Sequence, residues 1–113
     1  MKGAFFSHMN RITLTGRITK DLEIKKAGET NILNFSLAVY RDKDNTDFFD
    51  CTAFNKTAEL IVQYCKKGSK ILVSGALRNN NYEKDGKKVY QNNVVINEVE
   101  FLEKMEKEET NEN

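Results

Sequence analysis

Polar and apolar residues alternate along most of the chain, and the period changes clearly only once. From Asn10 to Ile18, Ile12, Leu14, Gly16 and Ile18 hold one parity while Arg11, Thr13, Thr15 and Arg17 hold the other. This is the pattern of a first strand with a basic outer face. A short strand over Leu22–Lys25 follows, then a turn across Ala27–Thr30 in which Gly28 is free to take positive φ, then a return strand Ile32–Tyr40. Leu33, Phe35, Leu37 and Val39 share the inner face of that return strand, and Asn34, Ser36, Ala38 and Tyr40 share the outer one. The charged run Arg41–Thr46 reads as a connector into a third long strand, TDFFDCTAF.

Over NKTAELIVQYCKKG the period lengthens. Ala58, Ile61, Val62 and Cys65 fall at i, i+3, i+4 and i+7, which predicts a helix within Thr57–Lys66, with Lys66 and Lys67 in its last turn and Gly68 as its stop. Strand character resumes over Lys70–Arg78, reverses at Asp85-Gly86 in a long β-hairpin, and returns over Val89–Ile96 before a last apolar pair, Val99 and Phe101. No segment repeats and the chain has no proline. About five strands with one short helix between the third and fourth predict an all-β fold. The expected architecture is a five-stranded OB-type barrel, in which closure removes the exposed edges and the helix plugs one end. A two-sheet sandwich would want more strands, and a βαβ fold would want a helix at every crossover.

The third strand raises the question of function. Phe49, Cys51 and Ala53 face one way as ordinary core, whereas Phe48, Asp50, Thr52 and Phe54 face the other. A half-buried strand does not need two large rings on its polar side. Rings recur on other predicted outer positions, at Tyr40, Tyr82 and Tyr90, interspersed with Arg11, Arg17, Arg41, Lys43, Lys56, Arg78, Lys84, Lys87 and Lys88. Flat rings stack on bases with little sequence preference while Lys and Arg hold phosphates, so this is the composition of a groove for a single nucleic-acid strand. The competing reading makes Phe54 and Tyr90 core under the helix and the lysines a solvated face. Val94, Ile96 and Leu72 are further apolar positions that a filled barrel core would leave in need of cover, which points to self-association.

Composition narrows the alternatives. At 113 residues the chain is one domain. The formal charge of +1 hides an asymmetry, since residues 103–113 carry five Glu and two Lys, net −3, leaving +4 for residues 1–102. Cys51 and Cys65 have no metal-set spacing and read as free thiols. Asp47 and Asp50, three apart on a strand, point to opposite faces and read as solvated or salt-linked carboxylates rather than metal ligands. The only histidine, His8, sits in a stretch preceding the regular pattern, and residues 1–8 read as a leader or an added remnant. No catalytic motif is present, no apolar run approaches membrane length, and neither a cofactor nor a metal is expected. The expectation is therefore a cytoplasmic binding protein and not an enzyme.

Three blocks, NRITLTGR, FNKTAELIVQYCKKGSKILVSGALR and the hairpin that follows, fall in an order and at spacings that resemble the bacterial and phage single-stranded DNA-binding proteins. The resemblance covers about 90 residues. It implies an OB fold over residues 9–102, assembly as a homotetramer with a homodimer as the alternative, and single-stranded DNA wrapped on aromatics during replication, recombination or repair. The stacking positions it implies fall at Phe48, Phe54 and Tyr82; typical members carry Trp at two of these three, and this chain has no Trp. Family tails recruit replication and recombination proteins through apolar last residues. Here residues 103–113 form a short acidic tail ending in Asn113 without such an anchor, which fits a phage-encoded or accessory member. Two other readings stand beside it: an OB module whose rings form a protein interface, and an RNA-binding OB domain.

Overall fold

A computed structural model describes residues 8–103. The expected leader over 1–8 and acidic tail over 103–113 therefore lie outside the described residues, except at His8 and Glu103. In chain order the elements are β1 (Ile12–Ile18), β2 (Ile24–Ala27), β3 (Thr30–Asp42), β4 (Asn45–Phe54), α1 (Asn55–Tyr64), β5 (Lys70–Asn79), β6 (Tyr82–Lys84), β7 (Lys87–Val89) and β8 (Asn92–Phe101). Five of these strands close into a ring. The pairs β1–β5, β5–β8, β3–β4 and β1–β3 are antiparallel, and β4–β8 is parallel. β2 extends the sheet from the first part of β3, and β6 with β7 forms a separate two-stranded arm. This is the predicted five-stranded barrel with one helix, carrying three accessory strands.

Alternation fills the barrel. Leu33, Phe35 and Leu37 from β3, Cys51 and Ala53 from β4, Ile71 and Val73 from β5, and Val94 and Ile96 from β8 are all buried, with Ala58 and Ile61 of α1 closing one end. Burial pushes the Cys51 thiol up to about 12, aided by the nearby Asp50 carboxylate, and the Cys65 thiol up to about 11, so both are poor nucleophiles at neutral pH. Closing so small a ring forces strands together. A Cβ on Gly16 would lie 2.6 Å from the Ala38 carbonyl oxygen across the β1–β3 seam, and one on Gly75 would overlap the Val95 carbonyl. Beside Gly75, β8 bulges by one residue at Asn97, because Gly75 pairs with Ile96 while Ser74 pairs with Glu98. Such a bulge bends the strand around the ring.

Several expectations are corrected. The helix spans Asn55–Tyr64, so Lys66 and Lys67 lie beyond its last turn, and Cys65 is the extended C-cap whose N–H bonds to the Ile61 carbonyl. Its start is set from outside the helix. Asn55 adopts φ 48° and its Oδ1 accepts the Asn31 N–H at 3.0 Å, while Asn31 Nδ2 donates to Glu59 Oε2 at 3.0 Å. Only Ala58 and Ile61 of the predicted stripe are fully buried, and Val62 is exposed. The short second strand lies at Ile24–Ala27 rather than Leu22–Lys25, and Leu22 packs against the core from the preceding loop. Arg41–Thr46 is no connector, because β3 and β4 run on to a turn at Lys43 and Asp44. There the Asp42 carboxylate accepts from the Asp44 N–H at 2.9 Å and from Asn45. The return strand divides into β7 and β8, and β8 absorbs Val99 and Phe101. Val94 and Ile96 belong to the barrel core, so they need no cover from another subunit.

The close approach at Gly75 makes a specific forecast. Gly75→Ala should destabilise the barrel by about 1 to 3 kcal/mol, the usual cost of forcing extra volume into a packed site. The loss would be read as a lower urea midpoint at unchanged slope. An unaltered midpoint would mean that the β5–β8 seam has slack.

Candidate nucleic-acid interface

Because β3 and β4 pair along nearly their whole length, register fixes what stands on their outward face. Tyr40 lies opposite Thr46, Ala38 opposite Phe48, Ser36 opposite Asp50, Asn34 opposite Thr52, and Ile32 opposite Phe54. Phe48 is 66% exposed, Tyr40 71% and Phe54 40%, so the core reading of Phe54 does not hold. Tyr40 and Phe48 are diagonal neighbours, which places them about 7 to 8 Å apart. Phe54 stands six residues further along β4, or about 20 Å at the usual strand rise. The rings are thus two stations on one face rather than a single stack.

A third station is the arm. Asp85 and Gly86 take φ 53° and 78°, the left-handed pair that a tight hairpin turn requires. Tyr82 pairs with Val89, and Tyr82, Lys88 and Tyr90 line a groove of about 320 Å³. Tyr90 is 73% exposed, so it is not core either. The root of the arm is stitched by polar side chains: Asn79 Nδ2 donates to Asn92 Oδ1 at 3.2 Å, and the Gln91 N–H donates to Asn81 Oδ1 at 3.0 Å.

Between the rings the outward face is polar and knitted together. The Asn93 Nδ2 donates to Thr52 Oγ1 at 2.9 Å, and the Thr52 hydroxyl donates to Asn34 Oδ1 at 2.8 Å. This chain of contacts crosses β8, β4 and β3, and Arg78 on β5 pairs in register with Asn93. Thr52, expected to face outward, is consequently buried under its neighbours. Alternation assigned Thr52 to the right face, yet no sequence reading singled out Asn34, Thr52 or Asn93. The asparagine runs of the arm root did carry a signal, since NNN (79–81) and QNN (91–93) flank the segment that turns at Asp85-Gly86.

The predicted cations are distributed unevenly. Arg17 pairs in register with Ala38, one strand from Phe48, but its Nη1 donates to the Gly68 carbonyl at 2.8 Å and to Glu103 Oε2 at 3.1 Å. The Glu103 carboxyl is held below the usual carboxylate range, first by the Lys70 N–H and then by Arg17. Arg41 sits beside the Tyr40–Phe48 station and grips Asp47 with two hydrogen bonds, Nη2 to Oδ1 at 2.6 Å and Nε to Oδ2 at 3.3 Å. The guanidinium lowers the Asp47 carboxyl below its ordinary value, so the pair is intact at neutral pH and lost only as pH falls through that depressed value. Arg11 lies at the other end of β1 and meets Glu98 at 3.8 Å, apart from the rings. Lys43, Lys56, Arg78, Lys84, Lys87 and Lys88 form no ion pair among the described residues. Lys56 follows Phe54 closely, and Lys84 lies opposite Lys87 near the tip of the arm.

A family model described as the single-strand binding protein family matches residues 9–102. The chain is 43% identical over 99 residues to the single-stranded DNA-binding protein of Clostridium perfringens, covering 83% of this chain and 66% of that one. It is 43% identical over 103 residues to that of Fusobacterium nucleatum, covering 82% of this chain and 66% of the relative. With single-stranded DNA-binding protein 3 of Listeria innocua it shares 41% identity over 104 residues, 84% of this chain and 64% of the other. The chain thus spans a little under two thirds of the length of these curated relatives. Barrel topology, outward rings and a family match that runs the length of the barrel agree, and the chain belongs to the single-strand binding protein family.

Proposed function

We propose that this protein binds single-stranded DNA without strong sequence preference and protects it during replication, recombination or repair. The observation that carries the reading is the outward row of β3 and β4, where Phe48 and Tyr40 stand exposed on a rigid sheet instead of packing into the core. Bases stack on such rings for roughly 1 to 3 kcal/mol each. Phe48, Phe54, Tyr82, Tyr40 and Tyr90 supply the stacking positions. Lys43, Lys56, Arg78, Lys84, Lys87 and Lys88 flank them as free phosphate ligands, while Arg11, Arg17 and Arg41 must give up a carboxylate before they can serve. The relatives' names support DNA over RNA as the ligand.

Self-association accompanies this reading, as a tetramer or a dimer. Leu72, Ala76 and Val95 lie half-buried on the outer side of β5 and β8, opposite in parity to the core residues and on either side of the Ser74–Glu98 pair, and offer apolar positions for a second subunit to cover. Sedimentation at micromolar concentration should show a species heavier than the 13.0 kDa monomer.

With no tryptophan present, tyrosine emission reports binding, and three of the four tyrosines stand at the proposed stations. Oligo(dT) should quench it strongly, oligo(U) less, and duplex DNA little. Phe48→Ala should weaken oligo(dT) binding by about 5-fold to 150-fold while leaving the urea midpoint close to wild type. Phe35→Ala, in the core, should instead cost about 3 to 5 kcal/mol of stability. If Phe48→Ala keeps full affinity and loses subunit assembly, the rings form a protein interface and the DNA reading is wrong.

Charge supplies a separate measurement. Log affinity for a single strand falls with log salt by about 0.7 per phosphate neutralised. Asp47→Asn releases Arg41, so it should tighten oligo(dT) binding and steepen the salt dependence by up to about 0.7. An unchanged slope would remove Arg41 from the path of the strand.

A further inference from the structure

One spot on the outward face is chemically unlike the rest. A pocket of about 400 Å³ opens between the Phe48 and Phe54 stations, lined by Lys20 and Asp21 from the β1–β2 connection together with Asn34, Asp50, Thr52 and Asn93. Asp50 lies two residues from Phe48 and four from Phe54 on β4, opposite Ser36. Its carboxylate and that of Asp21 enter no ion pair and accept no side-chain hydrogen bond among the described residues. Asp50 is exposed, so solvation rather than an internal partner stabilises its charge.

With Asp21 and Asp50 against Lys20, the charged lining carries one net negative charge and disfavours phosphate. A strand that runs from the Phe48 ring to the Phe54 ring gains by turning its backbone away here and presenting bases to the pocket. Single-stranded bases carry free Watson–Crick edges, and those edges can be read by polar side chains. A carboxylate only accepts, so it selects an edge that donates. Guanine offers two adjacent donors, N1–H and the N2 amino group, beside the O6 acceptor. The two Asp50 oxygens can take both donors, and O6 can accept from Lys20 or from the Asn34 amide, whose own Oδ1 is occupied by Thr52. Thymine offers one N–H between two carbonyl oxygens, and those carbonyls face a carboxylate unfavourably. Adenine and cytosine each offer one amino group beside a ring acceptor and rank between.

Building on the reading of this face as a single-strand groove, we infer that the Asp50 pocket discriminates among bases by their Watson–Crick edges and favours guanine over thymine. Stacking gives the protein its tolerance of sequence, and this pocket adds a bias at one position along the bound strand.

The experiment compares wild type with Asp50→Asn, a near-isosteric exchange at an exposed position that keeps the barrel intact by circular dichroism. Affinities are measured for oligo(dT), for the same oligonucleotide carrying isolated dG residues too sparse to form quadruplexes, and for one carrying dI at those places. Differences in the stacking and stiffness of the oligonucleotides act equally on both proteins, so the ratio of dG-containing to all-dT affinity isolates the carboxylate. That ratio should be higher in wild type than in Asp50→Asn by about 5-fold or more, the size of one bidentate base contact. Inosine lacks the N2 amino group and should fall between. If Asp50→Asn instead shifts all three affinities by one common factor, Asp50 acts only as a charge and the inference is overturned, with the function intact. If wild type binds none of the three, the groove reading itself fails and takes this inference with it.

Discussion

Closure of the ring at the β4–β8 seam is the constraint on which the rest depends. The seam is short and parallel, with Cys51 opposite Val94 and Thr52 opposite Val95. The contact of Thr52 with Asn93 and Asn34 reinforces it across three strands. Without the seam, β4 and β8 would be open edges, each presenting unpaired backbone groups to other chains. With it, β8 and the arm rooted on it are brought beside the outward face of β3 and β4. The proposed recognition surface is thus assembled by the same contact that completes the core. Gly16 and Gly75 make that possible by removing the side chains that would hold neighbouring strands apart.

Much of this was legible in the sequence because a strand's alternation reports its two faces. The cores of β1, β3, β4 and β5 and the outward placement of Tyr40, Phe48 and Phe54 follow from parity, and the turn at Asp85-Gly86 follows from its Asp-Gly pair. Parity does not say which strand lies alongside, and that is where the reading ran out. Val94 and Ile96 look as if they lack cover until closure places β8 against β4. Thr52 looks solvent-facing until Asn93, 41 residues away, reaches it. Arg17 looks free until Glu103, 86 residues away, accepts a hydrogen bond from its Nη1. The helix begins and ends two residues before its expected limits because those limits are set by Asn31 on β3, which lies outside its apolar stripe, and by Cys65, which is extended rather than helical.

The electrostatics of the face follow a similar logic. Its cations and carboxylates are distributed unevenly along it. Lysines that form no ion pair among the described residues, and Arg78, accompany the rings and the arm, while Asp21 and Asp50 stand with Lys20 in the middle. A uniformly basic groove would grip phosphates at every step. In the proposed binding mode, the present arrangement anchors a strand at separated points and leaves the stretch between them to the chemistry of the bases.

The arm gives the protein a second consequence. Its strands pair only with each other among the described residues, and it joins the barrel through its polar root. On the proposed reading, barrel and arm act towards a long strand as two modest binding sites on one short tether. Once either has caught the strand, the other meets it at a high effective concentration, and avidity arises without any single tight contact. Release can then proceed one segment at a time. A competing molecule needs to invade only the vacated half, so a strand held firmly at equilibrium can still be handed on quickly.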